Sequence, residues 1–286
     1  FNKELVIKII NQMGFIMDVS FIILTWNSAS YIKRCIQSYA VQLCQEGLTG
    51  EFIIVDNGSQ DNTIHVIQHE IIADLSTGHT LEIISLERNY GTTISRNMGL
   101  KKATGKYIII CDSDTEFYQG KLRDAMDYLE SNTDVLIVTP LLLWPEGDVQ
   151  PSARKFPTLY AKLVKVFEIV FRMQIKHIDF YPDFPWDMPK CIQTAASAFW
   201  LMKRNVLDEV GYLDEKIFYS PEDLDYCFRV WKKGYSVHFF PNIKIFHHAQ
   251  RLSRRNPFSR HALAHFRGLL YYFGKHKYLL RVPRNE

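Results

Sequence analysis

An α/β fold built on a mostly parallel, doubly wound sheet with helices on both faces is predicted by two features of this 286-residue chain. Short unbroken apolar runs recur through the first half, and runs of this length read as strands buried on both faces. They alternate with segments of about a dozen residues whose apolar positions follow helical spacing, the pattern of successive βαβ units. A third observation says where a ligand belongs. Two of the runs end in carboxylates, and open α/β sheets receive their ligands outside the carboxyl ends of the strands.

Val19 to Thr25 (VSFIILT) is the first strand, ending in Trp26-Asn27-Ser28. Ser28 or Ser30 is placed to cap a helix carrying Ile32, Cys35, Ile36 and Tyr39 on one face. Glu51 to Asp56 is the second strand, and Asn57-Gly58-Ser59 turns the chain into a helical segment, Asp61 to Ala73. Thr80 to Leu86 and then Thr92 to Ala103 supply a third strand and its helix. Lys106 to Thr115 (KYIIICDSDT) holds the fourth strand, and Val135 to Thr139 a fifth that stops before Pro140. Leu141 to Pro157 is proline-interrupted and reads as loop with at most an edge strand. Cys191 to Met202 reads as a strand. Ser220 to Lys233 has the clearest helical stripe, Leu224, Cys227, Phe228 and Trp231. Tyr235 to Phe240 and Ile243 to Phe246 are two more strands, the second running into His247-His248.

Composition narrows the function classes. A hydrophobic content of 47% is enough for a full core, and the charged fraction of 23% excludes disorder. A net charge of +3 is too small to argue for a nucleic-acid partner. Five scattered cysteines without a Cys-x-x-Cys suit a reducing, cytoplasmic setting. No run of about 18 apolar residues spans a membrane. Phe1 to Ile16, ahead of Met17, reads as a separate N-terminal extension: appended sequence, or a docking segment of a longer polypeptide.

Asp112 and Asp114, one residue apart at a strand tip, are the sharpest candidates. Mg²⁺ or Mn²⁺ takes one or two carboxylates plus substrate phosphate oxygens, so Asp-x-Asp suits such a cation, while Asp and Ser are also ordinary turn formers. Asp56 can accept a hydrogen bond from a base or a ribose hydroxyl, or simply open the Asn57-Gly58 turn. Around the next helix, Asn89, Arg96 and Asn97 are nucleotide-sugar candidates, with Arg96 for phosphate and Asn97 for sugar or diphosphate oxygens. The structural alternative has Asn89 or Thr92 capping the helix and Arg96 solvated. In Ser220-Pro221-Glu222-Asp223, Ser, Pro and Asp together make a helix start of capping-box type. Capping already accounts for these carboxylates locally, while a carboxylate there also suits a general base, provided it reaches the acceptor hydroxyl. His247-His248 offers imidazole to a metal or diphosphate.

Taken in order, FIILTWN, IIVDNGSQDNT, NYGTTISRNMGLKKATGKYIIICDSDTEF, VGYLDEKIFYSPEDLDYCFRVWKKGY and FHH resemble a family 2 glycosyltransferase of the GT-A fold over roughly Asp18 to Ser253. Among subfamilies the chain is most similar to bacterial rhamnosyltransferase-like enzymes of surface polysaccharide synthesis. The resemblance implies that Thr25, Asn27 and Asp56 bind base and ribose. It implies that Asp112 and Asp114 form the metal pair, with Asp114 the direct ligand, and that His247 helps hold metal or diphosphate, His248 leaving the register open. Asp223 matches the catalytic base, and Glu222 lies beside it on the acceptor side. Asp214-Glu215 matches a loop without a clear chemical role. Thr194-Ala195-Ala196 and Ala249-Gln250-Arg251 depart from the family pattern, where glycine is usual.

The implied activity is inverting transfer from a nucleotide-diphosphate sugar, dTDP-rhamnose or a UDP-sugar, to a saccharide or lipid-linked saccharide, with Mg²⁺ or Mn²⁺ as cofactor. A catalytically silent sugar- or nucleotide-binding module on the same scaffold is the rival. No G-x-G-x-x-G follows the first strand, which argues against a nicotinamide enzyme. The expected organisation is an extension over 1–16, a GT-A domain over 17–250, and a basic, aromatic helical extension over 251–286. Basic residues such as Arg251, Arg260, Arg267 and Arg281 interleave there with Phe266, Leu270 and Tyr272 and face only Glu286. That pattern suits peripheral contact with an anionic membrane surface, or a flap packed on the core. Leu159 to Met173 is a second membrane candidate and fits a buried helix or a homodimer interface as well.

Overall fold

Six of the seven residues of β2 (Val19–Thr25) are buried, because it lies inside a sheet covered on both faces. The computed structural model describes residues 5–9, 17–71, 78–158, 161, 164, 181, 183–249 and 260–277, with the backbone alone at 5–9 and 260–262. Its strands are β1 (Leu5–Ile9), β2, β3 (Gly50–Asp56), β4 (His79–Ser85), β5 (Tyr107–Asp112), β6 (Thr115–Gln119), β7 (Val135–Leu143), β8 (Ala153–Arg154), β9 (Lys190–Ile192), β10 (Thr194–Ala195), β11 (Phe199–Lys203) and β12 (Ser236–His247). Its helices are α1 (Ile32–Glu46), α2 (Thr63–Val66), α3 (Thr92–Leu100), α4 (Leu122–Ser131), α5 (Val206–Glu209), α6 (Glu222–Lys232) and α7 (Arg260–His276).

The main sheet runs β1-β4-β3-β2-β5-β11-β7-β12-β6, with β9 also on β12. Strands β4, β3, β2 and β5 are parallel, and β11 enters antiparallel between β5 and β7. Side chains alternate between two cores, as a period of two requires. Phe21, Ile23, Ile109 and Cys111 face α1 and α4, whereas Ile22, Ile108 and Ile110 face α3, α6 and α7. Register then decides which residues become neighbours. Thr25 pairs with Asp56, Leu24 with Asp112, and His247 with Thr115.

Several boundaries differ from expectation for local reasons. Strand β7 continues through Pro140 to Leu143, because the β7–β12 register shifts between Phe240 and Lys244, where a missing amide is tolerated. The same shift lets Tyr235–Phe240 and Ile243–Phe246 merge into one strand. Thr115–Gln119, for which the sequence carried no expectation, is strand β6. Cys191–Met202 is divided into β9, β10 and β11. The segment after Asp61 forms α2 and then a π-helical turn, Ile67–Ile71. None of the expected side-chain caps forms at α1, α3 or α6. The hydroxyl of Ser28 bonds Trp26 O and Ser113 Oγ instead, and the Ser220 hydroxyl bonds His265 Nδ1 at 2.9 Å.

Residues 5–9, within the expected extension, add β1 antiparallel to β4 at the sheet edge. At the other end, α7 packs Tyr272, Phe273 and His276 on the core and exposes Leu263, Phe266 and Leu270. An ion cluster fastens it. Lys275 bonds Asp214 and Asp225 at 2.6 Å each, and His276 bonds Asp225 at 2.8 Å. Burial alone would raise the Asp225 pKa, but His276, Lys275 and Arg229 outweigh it and hold it at about 2. Apart from Ala161 and Val164, the stretch 159–173 lies outside the described residues, as do 251–259 and 278–286.

Candidate active site

Helix α3 begins at Gly91, whose φ of 91° suits glycine and whose missing side chain lets Phe218 O approach. The Thr92 amide donates to that oxygen at 2.6 Å, and Thr93 Oγ1 to Ile217 O at 2.6 Å. The 213–218 loop is thereby laid on the start of α3. Asn97 completes the attachment. Its Nδ2 donates to Leu213 O at 2.9 Å and Glu215 Oε1 at 3.0 Å, and its Oδ1 accepts from the Leu213 amide at 3.0 Å. Buried and engaged by these bonds, Asn97 holds this loop, and Asp214-Glu215 thereby gains a structural task. Asn89 Oδ1 likewise accepts from Asn57 Nδ2 and the Gly91 amide, shaping the entry to α3.

Arg96 is 1% exposed, which overturns the alternative of a solvated side chain. Its Nη2 donates to Asp112 Oδ1 at 2.6 Å and to Ser197 O at 3.1 Å. Its Nη1 donates to Ser197 Oγ at 2.9 Å and to Glu222 Oε1 at 3.3 Å. One buried guanidinium thus joins the tip of β5 to the start of α6. Glu222 is buried as well and accepts from Ser197 Oγ at 2.8 Å. Burial and then the neighbouring Asp223 charge push its pKa up to about 7, against the opposing pull of Arg96 and Ser197. Asp223 stays half-buried, with Oδ1 accepting from the Leu224 amide at 2.8 Å.

At the other end of this bridge, Asp112, Asp114 and His247 each present a ligand atom, all within 4.8 Å of one another. It is His247, not His248, that joins the aspartates. His247 Nε2 lies 3.5 Å from Asp114 Oδ1, while His248 turns toward Glu116 at 3.4 Å. Asp114 Oδ1 is buried and has no hydrogen-bond partner among the described residues. An orphaned carboxylate oxygen within a set of two carboxylates and one imidazole fits a hard divalent cation such as Mg²⁺ or Mn²⁺. Burial raises the Asp112 pKa despite the opposing Arg96 charge, and Asp114 raises it further. For His247, burial works downward, yet the nearby Asp114 and Asp112 carboxylates outweigh it and the net direction is up.

The first-strand group is less open. Thr25 and Asp56 are buried, and Thr25 Oγ1 has no partner among the described residues. Asp56 accepts from the Ser59 amide at 3.1 Å and from its hydroxyl, which accounts for the turn; burial raises its pKa despite these bonds. Asn27 is exposed at a φ of 51°, and its Oδ1 accepts from the Gln60 amide at 2.8 Å.

The sequence model of Glycosyl transferase family 2 matches residues 20–211, about two thirds of the chain. The chain belongs to this family. It is 25% identical over 252 residues to N-acetylglucosaminyl-diphospho-decaprenol L-rhamnosyltransferase of Mycobacterium tuberculosis, covering 81% of this chain and 77% of that protein. It is 24% identical over 241 residues to poly-beta-1,6-N-acetyl-D-glucosamine synthase of Staphylococcus epidermidis, covering 84% of this chain but only 52% of the relative. Among solved structures, GalNAc-T7 with UDP, GalNAc and Mn²⁺ aligns with a TM-score of 0.67 at 15% identity, over 92% of this chain and 48% of that one. S. aureus TarS 1-349 in complex with UDP aligns at 0.55 and 17% identity, over 91% of this chain and 72% of that one. The GT-A fold expected from the motifs is therefore the fold of this family 2 chain.

Sequence reasoning missed Ser197, Tyr219 and Gln150. Tyr219 sits near the site, and burial, then the charges of Glu222 and Asp112, push its pKa up to about 12. A serine in a small-residue run and a glutamine in a proline-rich loop carry no motif. Only the pairing of distant segments reveals them.

Proposed function

We propose that this family 2 protein is an inverting, metal-dependent glycosyltransferase. It moves a sugar from a nucleotide-diphosphate donor, dTDP-rhamnose or a UDP-sugar, to a saccharide or lipid-linked saccharide in surface polysaccharide synthesis. The observation that carries this reading is the continuous arrangement of Asp112, Asp114 and His247, joined through Arg96 to Glu222, next to half-buried Asp223. Asp112, Asp114 and His247 would hold the cation, which neutralises charge on the leaving diphosphate. Asp223 takes the proton from the acceptor hydroxyl as its oxygen bonds the anomeric carbon. The bond from that carbon to the diphosphate oxygen breaks, and the nucleoside diphosphate leaves. Glu222 and Arg96 keep the two sides in register. Presence of every group this step needs favours catalysis over a silent binding module. We assign the transferase domain to 17–250 and the helical extension to 251–286.

A thermal-shift panel of nucleotide sugars with and without Mn²⁺ tests the donor. The correct donor, at about 100 times its dissociation constant, is expected to stabilise the protein by roughly 2.7 kcal/mol, more with the ion than without. Transfer is expected to vanish in chelator and return on adding Mg²⁺ or Mn²⁺. Full activity in chelator overturns metal dependence.

Peripheral membrane contact on the cytoplasmic side is supported by α7. Leu263, Phe266 and Leu270 lie exposed beside exposed Arg267, and this helix contains no acidic residue. No helix of the described residues is long and apolar enough to cross a membrane. The protein is expected to float with anionic liposomes and not with neutral ones. A Leu263→Ser/Phe266→Ser/Leu270→Ser variant is expected to stay at the bottom of the gradient; equal flotation of variant and wild type assigns the contact elsewhere.

A further inference from the structure

The hairpin that leaves β7 folds back toward the metal-site histidine. Gly147 N donates to Trp144 O at 2.9 Å, Trp144 N to Asp148 O at 2.8 Å, and Gln150 N to Leu142 O at 2.8 Å, with Leu143 and Val149 bridged. Since β7 runs parallel to β12 with Leu143 opposite Phe246, the hairpin delivers Gln150 beside the end of β12. Its side chain is buried there, and Gln150 Oε1 lies 2.7 Å from His247 Nδ1.

We propose that Gln150 is the positioning residue of the metal site, fixing His247 in the tautomer that presents a free Nε2 lone pair to the cation beside Asp112 and Asp114. A neutral imidazole has one donor and one acceptor nitrogen. An amide oxygen only accepts, so Nδ1 carries the proton and Nε2, on the Asp114 side, is left with its lone pair. Metal-bound histidines are commonly oriented by such an acceptor on the other ring nitrogen, and its loss typically weakens metal binding by about 10- to 100-fold. His248 lacks this arrangement. Its ring turns to Glu116, and its backbone amide donates to Asp114 O at 2.9 Å. The inference rests on the metal reading of the site, while the tautomer it requires is a property of the protein alone.

Two measurements on the full chain separate these levels. Nitrogen NMR of metal-free protein at about pH 9, above the ordinary imidazole range, is expected to show His247 protonated at Nδ1. An Nε2–H tautomer there overturns the proposal whatever the metal does. Mn²⁺ titration followed by the EPR signal of the free ion is the second. Gln150→Leu is expected to weaken Mn²⁺ binding by about 10- to 100-fold, while Gln150→Glu, which keeps an acceptor, stays within a few-fold of wild type. Equal affinity in Gln150→Leu and wild type, or equal loss in both variants, overturns the positioning role. Wild type that binds no Mn²⁺, with the Nδ1–H tautomer present, removes the metal reading and the ligand role with it.

Discussion

Asp223→Asn is expected to lower transfer by about 10²- to 10⁴-fold, the range a positioned general base supplies, while leaving donor affinity nearly intact. The substitution is almost isosteric, and Asn Oδ1 can still accept from the Leu224 amide, so the start of α6 keeps its shape. What disappears is the anionic oxygen that takes the acceptor proton. Glu222 is expected not to replace it, although its pKa of about 7 looks better matched to a base at neutral pH. Its side chain is 9% exposed and its Oε1 already accepts from Ser197 and Arg96, whereas Asp223 beside it is half-buried and more open to an acceptor hydroxyl. Geometry decides before pKa. Single-turnover rates together with donor titration separate the two effects. Wild-type transfer by Asp223→Asn removes the base assignment, and loss of donor binding moves Asp223 to the donor side.

The parallel half of the fold was legible because each strand is short, apolar and buried on both faces, as Ile108, Ile109 and Ile110 show. Asp112 and Asp114 were legible for the same reason, since a strand tip followed by paired carboxylates is a local pattern. The antiparallel half was not. Short pieces such as β9 and β10 owe their existence to partners far along the chain, and Pro140 misled because its tolerance depends on a register shift in β12. Arg96 was legible as a residue, but its buried partners were not, and the alternative of a solvated side chain is overturned. Nothing within SRNMGL says that Ser197 and Glu222, more than 100 positions away, will surround the guanidinium. The same limit applies to Asn97, whose amide is used up by Leu213 and Glu215. The choice between His247 and His248 likewise required strand register, which pairs His247 with Thr115.

Arg96→Met is expected to cost about 3–5 kcal/mol of stability, because it strips the counter-charge from buried Glu222 and from partly exposed Asp112. Glu222 bears most of this, since its side chain is 9% exposed against 35% for Asp112. The pH dependence follows from the raised Glu222 pKa. Between the ordinary glutamate value of 4.5 and about 7, the native state binds more protons than the unfolded state, so this group's contribution to stability falls as pH rises through that window. Removing Arg96 takes away an interaction that lowers this pKa, which carries the fall to higher pH. The loss in Arg96→Met is therefore expected to be larger at about pH 8, where Glu222 would otherwise be ionised against arginine, than at about pH 5, where protonation relieves it. Urea unfolding of wild type and variant at the two pH values reads both quantities. A loss under about 1 kcal/mol, the scale of an exposed ion pair, or an equal loss at both pH values would mean that Arg96 does not clamp the two halves of the site.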